Sequence, residues 1–360
     1  LETTVLKSGV DRESASPPLH SLSVLYLGTR DGTSMDRSNA MQRLGINVHH
    51  IDLRTLMPQT RWMYRITWKF GGQVFAPWIL RKLPVAMAGR RYDVCVVDSG
   101  EWVTPGIIEV IRRHAGKVVN YVIDDPFGVR DTARFRAYRR SLRFYDLCVV
   151  VRPDNVREAT LAGARRVLRV FMSSDEVSHA PRILTDADRA AWSTEVLFLG
   201  TWFPERGPFL LELLKRGVPL TIRGTNWSKA PEWPELKAAW KGGPVKGDDY
   251  AKAIQCAKVN IGLLSKGNRD QHTTRSLEIP ALGGLLCAER TAEHLAMYQE
   301  GVEALFWADP AECAAACMRA LGNDALRLKI AAAGQARNIA NRIRNENVMS
   351  EILTRTLEAS

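Results

Sequence analysis

Glu278 stands in the run TTRSLEIPALGG (Thr273–Gly284), between the apolar runs VNIGLL and GLLCAER. A carboxylate at an apolar helix start is costly unless something holds it. Two vicinal hydroxyls, such as those of a ribose, suit its two oxygens. Thr274 and Arg275 precede it, and seven residues separate it from Asp270. Gly283 and Gly284 would let the following strand pass closely over a ligand. His272, beside Thr273, is a candidate contact to a sugar or phosphate, whereas His294 in TAEH reads as a packing or capping residue.

Upstream, FLGTWFPERGP joins a strand through Gly200 to a helix start beside Arg206. Helix N-termini offer free N–H groups, and an arginine beside them strengthens a phosphate site. TIRGTNW ends a strand with Arg223, Gly224 and Trp227, where a base could stack or a phosphate pair. GGPVKGDDYAKAI supplies a glycine-rich turn whose backbone at Val245 and Lys246 could read a base edge.

In the first half of the chain, Asp31, Asp98, Glu101, Asp124 and Asp125 fall at the ends of expected strands. A general base must come within hydrogen-bond reach of the hydroxyl it activates. Asp125 is the first choice, then Asp98, with Asp124 beside them. Asp124 and Asp125 are adjacent and lack a third ligand, so no metal site is expected. The six cysteines show no CxxC spacing and read as small buried hydrophobes.

These residues need elements to position them. SVLYLG, INVHHIDL, YDVCVVDSG and KVVNYVIDDP are near-continuous apolar strands alternating with helical stretches. Such alternation predicts a parallel sheet covered on both faces, with ligands beyond the C-terminal strand ends. The polar stretch 173–195 reads as a linker plus a short helix, after which EVLFLG restarts the alternation. The expected organisation is a disordered tail or tag remnant over 1–20, a Rossmann-like domain over 21–180, a second over 181–340, and a helix over 341–360 packing back on the first.

The chain has 360 residues, 46% of them hydrophobic, and a net charge of +11. Its length suits two domains. No apolar run is long enough for a membrane helix, and no signal peptide is visible. The basic balance fits phosphorylated substrates or an anionic lipid surface. No nucleic-acid motif accompanies it. Arg130–Phe144 reads as an amphipathic helix with a basic, solvated face. Arg61–Lys82 is basic and aromatic, helical on both sides of Gly71-Gly72, and suits an acceptor groove or a membrane face.

The run RSLEIPALGGLLCAERTAEH, with FLGTWFPER and TIRGTNW before it, resembles the CgeB-like glycosyltransferases related to glycosyltransferase group 1. The likeness extends over about Glu195 to Asn338. It implies a GT-B fold, two Rossmann-like domains facing across a cleft, and sugar transfer from a nucleoside-diphosphate sugar to a glycan, protein, lipid-linked or small-molecule acceptor. Glu278 matches the ribose-binding glutamate of group 1 enzymes, and Asp270 stands where they carry the first glutamate of their pair. Arg206 would meet the diphosphate, with Arg275 as a second candidate. No cofactor or metal is implied, because basic side chains neutralise the leaving diphosphate. The location implied is cytoplasmic, or peripheral on the inner face of the membrane. A nucleotide-sugar epimerase and a non-catalytic binding protein are the competing readings.

Overall fold

The computed structural model describes residues 18–60 and 62–358. The expected tail therefore lies, up to residue 17, outside the described residues. Two parallel sheets follow one another along the chain. The first has the order β2-β1-β3-β4-β5-β6, with β1 Ser23–Leu27, β2 Asn47–Ile51, β3 Tyr92–Asp98, β4 Ala115–Val122, β5 Leu147–Val150 and β6 Val167–Arg169. The second has the order β11-β10-β9-β7-β8, with β7 Thr194–Leu199, β8 Leu220–Arg223, β9 Ala257–Gly262, β10 Leu286–Glu289 and β11 Leu305–Trp307. Every pairing within them is parallel.

Parallel strands need crossovers, and these cover both faces, so the strands are buried on both sides. Val94, Cys95, Val96 and Val97 of β3 are all fully buried. In each sheet the strand order reverses next to its first strand, between β1 and β3 and between β7 and β9. Such a reversal splays the connecting loops apart and opens a crevice at the strand ends. One core cluster runs through both domains, joining Tyr26 and Val96 of the first sheet to Leu197 and Leu286 of the second.

The segment between the sheets carries a helix at Asp186–Trp192, started by a Thr185–Asp188 capping box. The last helix, Asn345–Leu357, returns to the first domain. It buries Met349, Ile352 and Leu353, and Glu346 pairs with Arg43 at 2.6 Å. Cys287, Cys313 and Cys317 converge in the second core, their sulfurs within 4.8 Å of one another.

The basic segment departs from expectation. Only Arg136–Ser141 is α-helical, with a 3₁₀ turn at Leu142–Phe144. Arg136, Arg140 and Arg143 are exposed, but Arg134 pairs with Glu101 and Asp124, and Arg139 donates to the carbonyls of Pro126 and Thr132. The irregular backbone and strand-end carboxylates here need donors, and arginine supplies several from one side chain.

Candidate active site across the interdomain cleft

At the second sheet's reversal point, the loop after β7 touches the loop after β8 backbone to backbone. A Cβ on Gly224 would lie 1.9 Å from the Gly200 carbonyl oxygen, and Gly224 has φ +144. Only glycine fits that crossing. Beside it opens a cavity of about 70 Å³, walled by Gly200, Arg223, Gly224, Val245, Tyr250 and Arg275, among others.

Arg275 begins the helix Arg275–Ala281, and its Nε donates to the Leu199 carbonyl at 2.7 Å. Arg206 begins the helix Arg206–Lys215. Its Nη1 donates to Thr201 O at 2.8 Å, its Nη2 reaches the Leu263 and Leu264 carbonyls, and its buried Nε has no partner. Among the described residues neither guanidinium has a carboxylate within 4.0 Å. Burial, and then repulsion from Arg275, pull the Arg206 pKa down to about 10. Two mutually repelling, partly desolvated guanidiniums form a site awaiting an oxyanion.

Glu278 lies one turn beyond Arg275 and is buried. The Tyr250 hydroxyl donates to it, and His179 Nε2 lies 3.6 Å from Oε1. Tyr250, not Glu278, is on the cavity wall. A ribose reaching the carboxylate must therefore displace the Tyr250 hydroxyl or bind against the pair. Thr274 caps the helix through its backbone, its carbonyl accepting from the Leu277 and Glu278 N–H groups at 2.9 and 2.8 Å. Lys246 is exposed at the start of the helix Gly247–Cys256 and lies off the cavity wall.

His294 supports the Arg275–Ala281 helix from behind. Its Nδ1 lies 2.6 Å from Glu289 O, which can only accept, so Nε2 accepts from Ser276 Oγ at 2.7 Å. Burial lowers its pKa to about 4. The unfolded chain takes up this proton near pH 6.5 and the folded chain resists it until about pH 4. Stability is thus complete above pH 6.5 and is expected to fall by roughly 3 kcal/mol on going down to pH 4. Urea midpoints between pH 7.5 and 4.5 should show that fall, and a smaller one in His294→Gln.

At the first sheet's reversal point a larger cavity, about 250 Å³, is walled by Asp31, Asp98, Glu101 and Asp124, together with Arg37, Trp102 and Arg134. Asp98 accepts two bonds from Arg37 Nη2 at 2.8 and 2.9 Å and one from the Tyr26 hydroxyl at 2.9 Å. Glu101 is buried against Arg134, and burial raises its pKa despite that cation. Asp124 holds Arg134 at 2.7 Å through Oδ2, while its side chain stays 33% exposed. Asp31 stands at the N-cap position of the helix Gly32–Arg43, where its side chain makes no capping bond and pairs instead with Arg54.

The loop after β9 crosses from the second domain to the first. Arg269 binds Asp125 at 2.6 Å and Glu158 at 2.8 Å, and Asp270 makes a buried pair with Arg152. Arg130 reaches back to Ser265 and Asn268, whose amide lies 3.4 Å from Asp124.

Residues 206–354 match the family described as "Glycosyl transferase-like". The second half of the chain thus carries a glycosyl transferase-like domain. No curated protein matches the sequence. Among solved structures, HepE from Anabaena in complex with UDP and glucose superposes with a TM-score of 0.61 at 13% identity, over 93% of this chain and 99% of that one. Sucrose-phosphate synthase from Thermosynechococcus elongatus gives a TM-score of 0.65 at 13% identity, with the same coverage. The E. coli trehalose-6-phosphate protein bound with UDP-2-fluoro glucose gives 0.62 at 13% identity, over 94% and 99%.

The fold is GT-B.

The GT-B cleft gathers Gly200, Arg223, Gly224, Val245 and Arg275 on one cavity, with Arg206 adjoining, and Asp98 and Asp124 on the other. Several expected ligands have other partners here. Asp125 is closed off from the cleft: its side chain is fully buried, with Oδ1 accepting from the N–H groups of Phe127 and Gly128, from Asn155 and from Arg269, and Oδ2 from Arg269. His272 accepts from Met172 N at 2.9 Å and donates to Glu293 at 2.5 Å, so both ring nitrogens are occupied inside the protein. Asp270 is spent on Arg152. Trp227 is core, its indole donating to Gly200 O at 2.9 Å and its ring edge-on to Phe198, so no face is open to a base. Gly283 ends its helix at φ +79, and a Cβ on Gly284 would sit 2.9 Å from Asn260 Nδ2, so the pair serves helix–strand packing. Sequence reading passed over Tyr250, Arg37, Arg130 and Arg134. The last two lay in plain view in the basic segment, but only the fold shows which way they point.

Proposed function

We propose that this chain transfers a sugar from a nucleoside-diphosphate sugar to an acceptor hydroxyl, as a CgeB-like glycosyltransferase. The observation that carries the proposal is the carboxylate-free pair Arg206 and Arg275 beside the strand-end cavity. A diphosphate supplies the anion these guanidiniums lack, and they stabilise the charge that grows on it as the sugar leaves. That is work a divalent cation does elsewhere, so we propose transfer without a bound metal. UDP or a UDP sugar occupies HepE and the E. coli protein, which favours uridine as the base. The Val245 turn and Arg223 lie where that base would sit, and the Tyr250–Glu278 pair where its ribose would.

The acceptor belongs in the larger cavity of the first domain. In an inverting transfer we assign the base to Asp124. Asn268 of the second domain reaches it at 3.4 Å, and it keeps an open face. Asp98 is held by three hydrogen bonds and serves as the anchor for Arg37.

Calorimetry with UDP, GDP, dTDP, ADP and CMP tests the donor site. Tight binding of one nucleoside diphosphate, weakened about tenfold or more in Glu278→Ala, is the expected result. If no nucleoside diphosphate binds the intact protein, the proposal fails.

A further inference from the structure

The two helices between β2 and β3, Met63–Phe70 and Ala76–Met87, present an unusual outer face. Met63 and Thr67 of the first and Ile79, Leu83 and Met87 of the second turn inward. What remains outside is aromatic and aliphatic: Tyr64, Trp68 (43% exposed), Phe70 (51%), Trp78 (44%), Leu80 and Val85 (79%). Between these stand exposed Arg65, Lys69, Arg81 and Lys82. From Leu53 to Tyr92 the sequence holds eight Lys or Arg residues and no Asp or Glu.

Scattered exposed apolar side chains are normal, but six of them on two successive short helices, interleaved with cations, mark a binding surface. Its chemistry selects the partner. Trp, Tyr and Phe interleaved with Lys and Arg suit the headgroup layer of a bilayer, where rings sit at the interface and cations meet anionic lipid. A second copy of this chain would bring Arg65, Lys69, Arg81 and Lys82 against the same cations. Among the described residues no helix is long and apolar enough to cross a membrane.

We propose that this face docks on an anionic lipid bilayer. The face also borders the first-domain cavity. The Tyr64 ring lies 6.3 Å from that of Trp102, and Arg134 lies over Trp68 at 5.1 Å. Trp102 and Arg134 both wall the cavity. Docked this way, the cavity opens beside the headgroups, and the acceptor it takes is a hydroxyl carried on a lipid. That second step rests on the sugar-transfer reading; the docking does not.

The test is co-sedimentation of the full chain with phosphatidylcholine vesicles and with vesicles of three parts phosphatidylcholine to one part phosphatidylglycerol. We expect pelleting with the anionic vesicles alone, release by raised salt, and a loss of at least about thirtyfold in partitioning for Arg81→Glu with Lys82→Glu. Those two residues lie away from both cavities, so UDP binding by the variant should be unchanged. No pelleting with anionic vesicles at low salt overturns the proposal. So does equal pelleting of the variant, or a concentration-dependent dimer that hides the tryptophans and ignores vesicles. UDP calorimetry on the same preparations separates the two readings. Vesicle binding without UDP binding keeps the face and sinks the transfer, and UDP binding without vesicle binding does the reverse.

Discussion

Arg275→Met is expected to weaken UDP binding by about a hundredfold while leaving the free protein about as stable as before, the lost bond to the Leu199 carbonyl being offset by a gain at Arg206. A charge-assisted hydrogen bond to phosphate contributes roughly 1.5–3 kcal/mol, which sets the scale of the loss. The gain in the free state has a separate origin. Arg206 is desolvated, has a partnerless Nε, and is opposed by the charge of Arg275. Removing the neighbouring charge relieves that opposition. A residue kept for packing would behave in the reverse way, losing stability and leaving binding alone. Melting temperatures with and without UDP measure both halves at once, because a ligand specific to the folded state raises the midpoint by mass action. A melting point that falls without UDP, with an unchanged shift on adding it, would refute the assignment. Arg206→Lys serves as the companion variant. It keeps a charge but cannot span the Thr201, Leu263 and Leu264 carbonyls, so it should lose both binding and stability.

The second large effect concerns Asp125. Asp125→Asn should cost about 1.5–3 kcal/mol of stability, because the buried carboxylate loses its charge-assisted hydrogen bonds from Arg269, Asn155 and the Phe127 and Gly128 N–H groups, while Arg269 keeps Glu158. Were Asp125 the general base, the same variant would fold normally and fail only in turnover. Burial alone would raise the Asp125 pKa, but hydrogen bonds from Arg269, Asn155 and Phe127 outweigh it and hold the pKa below the usual carboxylate value. Its contribution is therefore present above about pH 4 and lost as the pH falls through that lower value. The gap between the urea midpoints of wild type and Asp125→Asn should narrow as the pH is lowered from 7 into the acid range.

The fold class was legible because parallel strands buried on both faces must be apolar throughout, and runs such as SVLYL at Ser23–Leu27 and YDVCVVD at Tyr92–Asp98 announce that at once. Turns were legible for a similar reason: Gly200 and Gly224 mark strand ends, and the cavity forms there. The functions of charged residues were harder to read. Asp125 and Asp124 are adjacent and chemically identical in sequence. One is buried under Arg269 and the other opens on the cleft, and the difference is made by a loop 144 residues away. His272 and Asp270 sit in the same motif as Arg275, yet their partners, Met172 and Arg152, come from the other side of the cleft. Arg134 reads as one more surface cation until Glu101 and Asp124 are seen beside it. Local pattern fixes where a side chain sits along an element. It says nothing about which distant charge will meet it.

The returning helix Asn345–Leu357 bears on how the protein can be cut. Arg43 spans Glu346 and Asp175, Asn345 donates to Asp175 and accepts from Ser173, and Met349, Ile352 and Leu353 fill the first domain's core. A gene fragment ending at the linker near residue 180 would encode every strand of the first sheet and still lack one of its walls. Its product would expose that apolar seam and should aggregate. Supplying residues 341–358 as a separate peptide, or splicing them after residue 180 through a short flexible linker, should restore solubility. The practical unit for expressing the first domain is therefore discontinuous in the gene, and its boundaries follow the packing rather than the order of the chain.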